Sequence, residues 1–231
     1  MTTLIVGSGG IGLAAARRIG GEPVLTYRRN EPADPPPGAT LRRLDVTDPV
    51  AVAELVASVP GLDAVVVTSG HRHDFEFFAK QDPAVAEEIV ATELLGPMNV
   101  VRAALGALGD RGRIVLVGSD SGKAGTLGDA ASSAARAGLL GFVRSIARET
   151  ARTDVTVNVV SPGPTDTGLL GELLDGDDLA AKVMRGTVAA IPKRRTAQPE
   201  EIAEAIAYFL GPNSGFTTGQ VLSVSGGLTM T

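Results

Sequence analysis

The strongest constraint on the fold is a set of short apolar runs that alternate with Ala- and Leu-rich stretches at helical spacing. Ala64-Val-Val-Val67 and Ile114-Val-Leu-Val117 carry no polar residue on either face, the pattern of strands covered from both sides. Comparable runs occupy Thr3–Val6, Pro23–Tyr27, Ala39–Leu44, Ala64–Thr68, Arg113–Val117, Val155–Val160 and Val221–Val224. Between them the spacing predicts helices over Ile11–Ile19, Pro49–Ser58, Pro83–Leu108, Asp129–Arg152 and Pro199–Leu210. The last is well punctuated, with Pro199 at the first helical position, Glu200 and Glu201 in the first turn and Gly211-Pro212 beyond its end. Such alternation predicts an α/β fold, a doubly wound parallel sheet of about seven strands with helices on both faces. With no repeat and no boundary, residues 1–231 read as one domain.

Two stretches depart from the pattern. Arg28–Gly38 reads RRNEPADPPPG, which cannot hold a helix because proline removes donors and fixes φ. Thr165–Ile191 mixes helix signals with several glycines, and we read it as a mobile flap over a ligand cleft.

Composition narrows the function. Apolar residues make up 44% of the chain and aromatics 3%, so a packed core must be built from Ala, Val, Leu and Ile. A net charge of −5 without basic clusters argues against nucleic acid as a partner. The absence of Cys excludes disulfides and thiolate chemistry, and two His alone cannot make a zinc site; no metal is expected. The chain enters a strand directly, without a charged leader, and no apolar run approaches the ~18 to 20 residues that span a bilayer. A cytoplasmic protein with no membrane partner is the expectation.

The first strand runs into Gly7-Ser8-Gly9-Gly10-Ile11-Gly12 and then an Ala-rich helix. Glycines at 7, 9 and 12 fit the dinucleotide fingerprint of the Rossmann fold, where backbone approaches pyrophosphate and a helix N-terminus faces it. After the second strand, Thr26-Tyr27-Arg28-Arg29 offers no acid for ribose hydroxyls before Glu31. Guanidinium groups at Arg28 and Arg29 suit a 2′-phosphate, so NADP(H) is expected over NAD(H).

Several further segments resemble the short-chain dehydrogenase/reductase family, and the resemblance covers nearly the whole chain. Asp45-Val46-Thr47-Asp48 is similar to the segment after the third strand, which implies Asp45 and Val46 at the adenine ring. Thr68-Ser69-Gly70 takes the place of the Asn-Ala-Gly segment, and Gly112–Ser119 resembles the strand that delivers the catalytic serine. Asn158–Gly163, followed by Thr165 and Thr167, is similar to the Pro-Gly segment (here Pro162-Gly163) that meets the nicotinamide carboxamide. Gln198–Ala203, Thr218–Leu222 and Gly226-Gly227 match the C-terminal blocks.

The family's catalytic set is Asn, Ser, Tyr and Lys. At the matching positions this chain has Glu93, Ser119, Ser132 and Arg136, so one of four is retained. A tyrosine hydroxyl serves as a general acid because its pKa near 10 is lowered by neighbouring charge. A serine hydroxyl is far less acidic, whereas Arg136 retains positive charge and donors for the nicotinamide ribose. The resemblance therefore implies retained cofactor binding with altered proton chemistry. His71 and His73 follow the fourth strand, at the crevice end of the sheet, and are candidate proton donors. Asp120 and Lys123 lie in the loop after Ser119 and read as solvated charges.

Three functions remain open on this reading. The chain is an NADP(H)-dependent oxidoreductase acting on a small carbonyl or imine with a non-standard proton donor. Alternatively it is a catalytically silent subunit paired with an active paralogue, or a redox-neutral cyclase or isomerase on the same fold. The family's dimers and tetramers form through the helices corresponding to Pro83–Leu108 and Asp129–Arg152, so a homo-oligomer is expected, or a hetero-oligomer with the paralogue.

Overall fold

The computed structural model describes residues 1–72 and 75–230. Its β-branched runs form β1 (Thr2–Val6), β2 (Val24–Tyr27), β3 (Thr40–Arg43), β4 (Leu62–Val67), β5 (Arg113–Val117), β6 (Thr156–Pro162) and β7 (Val221–Val224). All pair in parallel in one sheet, ordered β3-β2-β1-β4-β5-β6-β7. The helices are α1 (Gly10–Ile19), α2 (Pro49–Ala57), α3 (Pro83–Val90), α4 (Gly96–Ala107), α5 (Ser121–Ala124), α6 (Ala130–Glu149), α7 (Gly168–Leu174), α8 (Leu179–Ala190) and α9 (Pro199–Leu210).

Period-two alternation along each strand divides the core. Leu4, Val6, Val65, Val67, Ile114 and Leu116 pack with Val52 of α2, Val100 of α4 and Leu139 of α6. Their neighbours Ile5, Val66 and Val115 face the other way, onto Ala14–Ala16 of α1 and Ile202, Ile206 and Phe209 of α9. Because β2 and β3 lie on one side of β1 and β4 on the other, the chain reverses direction at β1/β4. The connections that leave the carboxyl ends of those two strands run to opposite faces of the sheet and leave a crevice between them, the usual ligand position in such sheets.

The expected helix Pro83–Leu108 is interrupted. Residues Ala91–Leu95 form a π turn in which the Gly96 N–H donates to the Ala91 carbonyl. Pro97 has no N–H to give the Glu93 carbonyl, so a regular α-helical ladder cannot run through this point. The widened turn seats Gly96 against Val46, where a Cβ would come within 2.5 Å of the valine side chain.

The segment Thr165–Ile191, whose sequence mixed helix signals with glycines, holds two helices. Thr167 and Asp178 accept N–H bonds that start α7 and α8, and glycines at 168, 171, 176 and 186 had diluted that pattern. Arg28–Gly38 holds no helix, as its prolines require. Among the described residues no helix is long and apolar enough to cross a membrane, and no acidic or histidine cluster could hold a metal.

Candidate active site and nucleotide crevice

The loop leaving β1 is shaped by backbone proximity. Gly7 has φ +114°, which L side chains rarely adopt, and a Cβ on Gly12 would lie 2.0 Å from the Gly7 carbonyl oxygen. Thr68, at the end of β4, donates its hydroxyl to that carbonyl at 2.9 Å and ties the two strand ends together. Gly9 caps α1 and has no atom within 4 Å of where its Cβ would stand, while Gly10 faces the Thr167 methyl. The first turn of α1 carries no acid, so its N–H groups and positive end are available to an anion. The buried Ser69 hydroxyl beside this loop has no partner among the described residues. An open cradle and an orphaned hydroxyl fit the pyrophosphate and ribose of a dinucleotide.

At the outer end of the crevice, Arg28 Nε donates to Asp45 Oδ2 at 2.9 Å, which joins two residues expected to hold different parts of the nucleotide. Burial raises the Asp45 pKa, but hydrogen bonds from Thr47 and the Arg28 charge outweigh it and hold it below its ordinary value. Arg29 is exposed. Beside it stands Arg43, whose Nε donates to the Arg28 carbonyl at 3.2 Å. Arg43 was missed in the sequence, although its register opposite Tyr27 in β3 would have placed it at this rim.

Ser119 follows β5 and lines a cavity of about 570 Å³ with Phe75, Pro162, Gly163, Met184 and Thr187. Its Oγ accepts bonds from the Ser121 hydroxyl at 2.9 Å and the Ser121 N–H at 3.2 Å. With its oxygen so engaged, the Ser119 hydroxyl retains a proton that it can donate. Ser121 was also missed, because only the fold brings the two hydroxyls into line.

Asp120 corrects the reading of a solvated loop charge. It is 4% exposed and accepts from Ser223 Oγ at 2.8 Å and from Thr229 Oγ1. Lys123 Nζ donates to the same Ser223 at 2.8 Å. These partners lie about a hundred residues away in sequence, so no local pattern reveals them.

Glu93, Ser132 and Arg136 converge. Glu93 sits on the π turn at 3% exposure, and its Oε2 accepts the Ser132 hydroxyl at 2.6 Å and Arg136 Nε at 3.1 Å. Its Oε1 accepts Arg136 Nη2 at 2.8 Å and the His71 N–H at 3.0 Å. Arg136 Nη1 donates to the Val117 carbonyl at 2.8 Å. Burial pushes the Glu93 carboxyl up, but the Arg136 charge and the bonds from Ser132, His71 and Arg136 outweigh that and keep it below its usual range. The Ser132 proton is therefore committed to a carboxylate, and neither Ser132 nor Arg136 lines the Ser119 cavity.

Of the other expected residues, the His71 ring approaches Glu88 at 3.3 Å, and His73 lies outside the described residues. Thr165 donates its hydroxyl to the Gly163 carbonyl at 3.0 Å, and Thr167 caps α7 while touching Gly10. Ser8 and Ile11 stand in the nucleotide loop, and Gly70 lies against the Arg136 guanidinium.

Comparison with known proteins identifies relatives over nearly the whole chain. A family profile described as Enoyl-(Acyl carrier protein) reductase covers residues 6–229. Acetoacetyl-CoA reductase of Allochromatium vinosum is 39% identical over 78% of this chain and 71% of its own length. The 3-oxoacyl-acyl-carrier-protein reductase MabA of Mycobacterium tuberculosis is 31% identical over 97% of this chain and 90% of its own. A solved actinorhodin polyketide ketoreductase variant with NADPH is 30% identical and superposes with a TM-score of 0.85, covering 98% of this chain and 96% of that one. A protein solved as a short chain dehydrogenase/reductase family member is 33% identical, with a TM-score of 0.86 over the same shares. The chain thus belongs to the short-chain dehydrogenase/reductase family of oxidoreductases.

Proposed function

We propose that this chain binds NADP(H) in preference to NAD(H) and reduces a carbonyl or imine held at Ser119, without an acid at position 132. The observation that carries the reading is the pairing of a formed donor with a withdrawn one. Ser119, supported by Ser121, faces a cavity, whereas the Ser132 hydroxyl is turned into Glu93. The glycine cradle and the basic rim of Arg29 and Arg43 support NADP(H), as do the solved relatives containing NADPH at 30% and 29% identity. The names of the curated relatives point to 3-oxoacyl thioesters as first test substrates.

Bound NADPH supplies the hydride. Ser119 orients the substrate oxygen or nitrogen and donates a hydrogen bond to the charge that develops there. Ser132 holds Glu93 rather than protonating product. The proton comes from water in the cavity or from a histidine, His71 or His73, of the segment after β4. Steady NADPH oxidation with a 3-oxoacyl thioester or imine panel, lost on Ser119→Ala, tests the reading. Failure of the purified chain to bind NADPH sinks it.

A second reading, a subunit that supports an active paralogue, is favoured by one surface. Phe78, Val90, Leu95 and Ala134 line an apolar groove between α3, the π turn and α6, with Phe78 68% and Leu95 49% exposed. We place the oligomer contact there, and the protein in the cytoplasm. A stable homo-oligomer that oxidises NADPH rules against the silent-subunit reading; product formed without NADPH consumption identifies redox-neutral chemistry.

A further inference from the structure

We propose that Asp120 is a positioning residue that latches the turn after β7 onto the Ser119 cavity, and that Leu228, the apolar side chain held there, selects substrates by the length of their chain. The inference rests on the reading of Ser119 as the donor to a substrate carbonyl, and adds the residues that shape the rest of that site.

The latch joins two strand ends through one carboxylate. Asp120 directly follows Ser119, and its N–H donates to the Pro162 carbonyl at 3.0 Å, which pins the loop after β5 to the end of β6. Its buried side chain takes one hydroxyl on each oxygen. Ser223 of β7 donates to Oδ1 at 2.8 Å, and Thr229, beyond the turn, donates to Oδ2. Lys123 Nζ donates to Ser223 Oγ at 2.8 Å, which leaves the proton of that hydroxyl to Asp120. The turn also closes on itself. The Leu228 N–H donates to the Ser225 carbonyl at 3.2 Å and the Thr229 N–H to Ser225 Oγ at 3.3 Å. Its other side rests on the segment after α8, where the Lys193 N–H donates to the Gly226 carbonyl at 3.2 Å. A Cβ on Gly226 would stand 2.9 Å from the Ile191 side chain, so the contact is close.

What the latch holds is a wall of the substrate cavity. Asp120, Leu228 and Thr229 line the same cavity as Ser119, together with the apolar side chains of Leu127, Val183 and Met184. Both Asp120 oxygens accept from hydroxyls of this chain, so the carboxylate acts through the turn. The ladder with β6 ends at Val224, and the Thr229 hydroxyl anchors the far end of the segment that carries Leu228. A hydrogen bond to a charged group contributes about tenfold or more to such closure. An apolar wall in turn discriminates by length, since one methylene more or less changes the preference of a pocket about tenfold or more.

Two measurements test the latch, one of them independent of turnover. Amide hydrogen exchange is followed in residues 225–230 of the wild-type chain, Thr229→Val and Thr229→Ser. Thr229→Val removes the donor and keeps the shape, so exchange there rises about tenfold while β4 and β5 stay protected. Thr229→Ser keeps the hydroxyl and restores protection. Kinetics are then measured with NADPH and the 3-oxobutanoyl and 3-oxooctanoyl thioesters of N-acetylcysteamine. Thr229→Val raises KM about tenfold, with kcat within about threefold and the NADPH Kd within about twofold of wild type. Leu228→Ala makes room and shifts the ratio of kcat/KM values about tenfold towards the longer thioester. Should Thr229→Val fail to fold, Leu228→Ala carries the comparison. Unchanged exchange at 225–230 in folded Thr229→Val, or a ratio unmoved by Leu228→Ala, overturns the proposal. Exchange that rises throughout the sheet also overturns it, because Thr229 is then only a support of the fold. A wild-type chain that reduces neither thioester refutes the reduction reading itself; exchange at 225–230 and calorimetric affinities for the same two thioesters then decide the latch.

Discussion

Glu93 and Arg136 face each other across hydrogen bonds of 2.8 and 3.1 Å, with side chains 3% and 11% exposed. Both charges have left water, and their stability depends on each other more than on solvent. Removing one partner strands the other, which typically costs about 3–5 kcal/mol. Arg136→Met is expected to destabilise the fold by about 3 kcal/mol or more in urea titration, well beyond the ordinary surface substitution.

The same pair sets an acid limb. Glu93 ionises below its unfolded value, so its contribution is complete above about pH 4.3 and fades as pH falls through the lower folded value. Wild-type unfolding free energy should fall across that window. In Glu93→Gln the slope should be shallower there, as read from urea midpoints at stepped pH. Parallel slopes would assign the acid limb to other carboxylates.

The two serines are expected to part company in kinetics. On the proposed mechanism Ser119→Ala removes the donor to the reacting atom and should lower kcat about 100-fold with NADPH affinity intact. Ser132→Ala should lower kcat less than about tenfold and leave the pH–rate profile unmoved, since a general acid typically contributes about 100-fold or more. Loss of a pH limb in Ser132→Ala would reinstate it as the acid.

Arg28 is paired with Asp45, and on the proposed reading the charge for a 2′-phosphate falls to Arg29 and Arg43. Replacing both with Ala should raise the NADPH Kd at least about tenfold, leave NADH nearly unchanged, and flatten the salt dependence of NADPH binding. Titrations at two ionic strengths would show it.

Gly12→Ala places a methyl group 2.0 Å from the Gly7 carbonyl, a contact that backbone alone must relieve. NADPH binding should be abolished. If calorimetry of the variant shows an intact affinity, the loop is not the pyrophosphate cradle.

Strand runs and the terminal α9 were legible because hydrophobic period and local punctuation coincide there. Ser119 was legible as a position, but its support by Ser121 was not. The π turn escaped because Pro97 acts on a carbonyl one turn back, and a helical pattern survives the insertion. Asp120 and Lys123 were misread for another reason: their environment comes from Ser223 and, for Asp120, also Thr229, which return from the far end of the chain. The changes at 93, 132 and 136 were each visible, yet their convergence on one carboxylate was not. Residue types show which groups are present, and only packing shows which of them face each other.

The knot of Glu93, Ser132 and Arg136 also bears on how such a site can change over generations. Tyrosine at 132 alone must fit beside the buried Glu93 carboxylate in the space of a serine. Lysine at 136 alone leaves that carboxylate half satisfied, and asparagine at 93 alone leaves a guanidinium without its anion. Each single change is expected to lower stability, because these three side chains satisfy one another's polar groups, and only a concerted change of all three would avoid that cost.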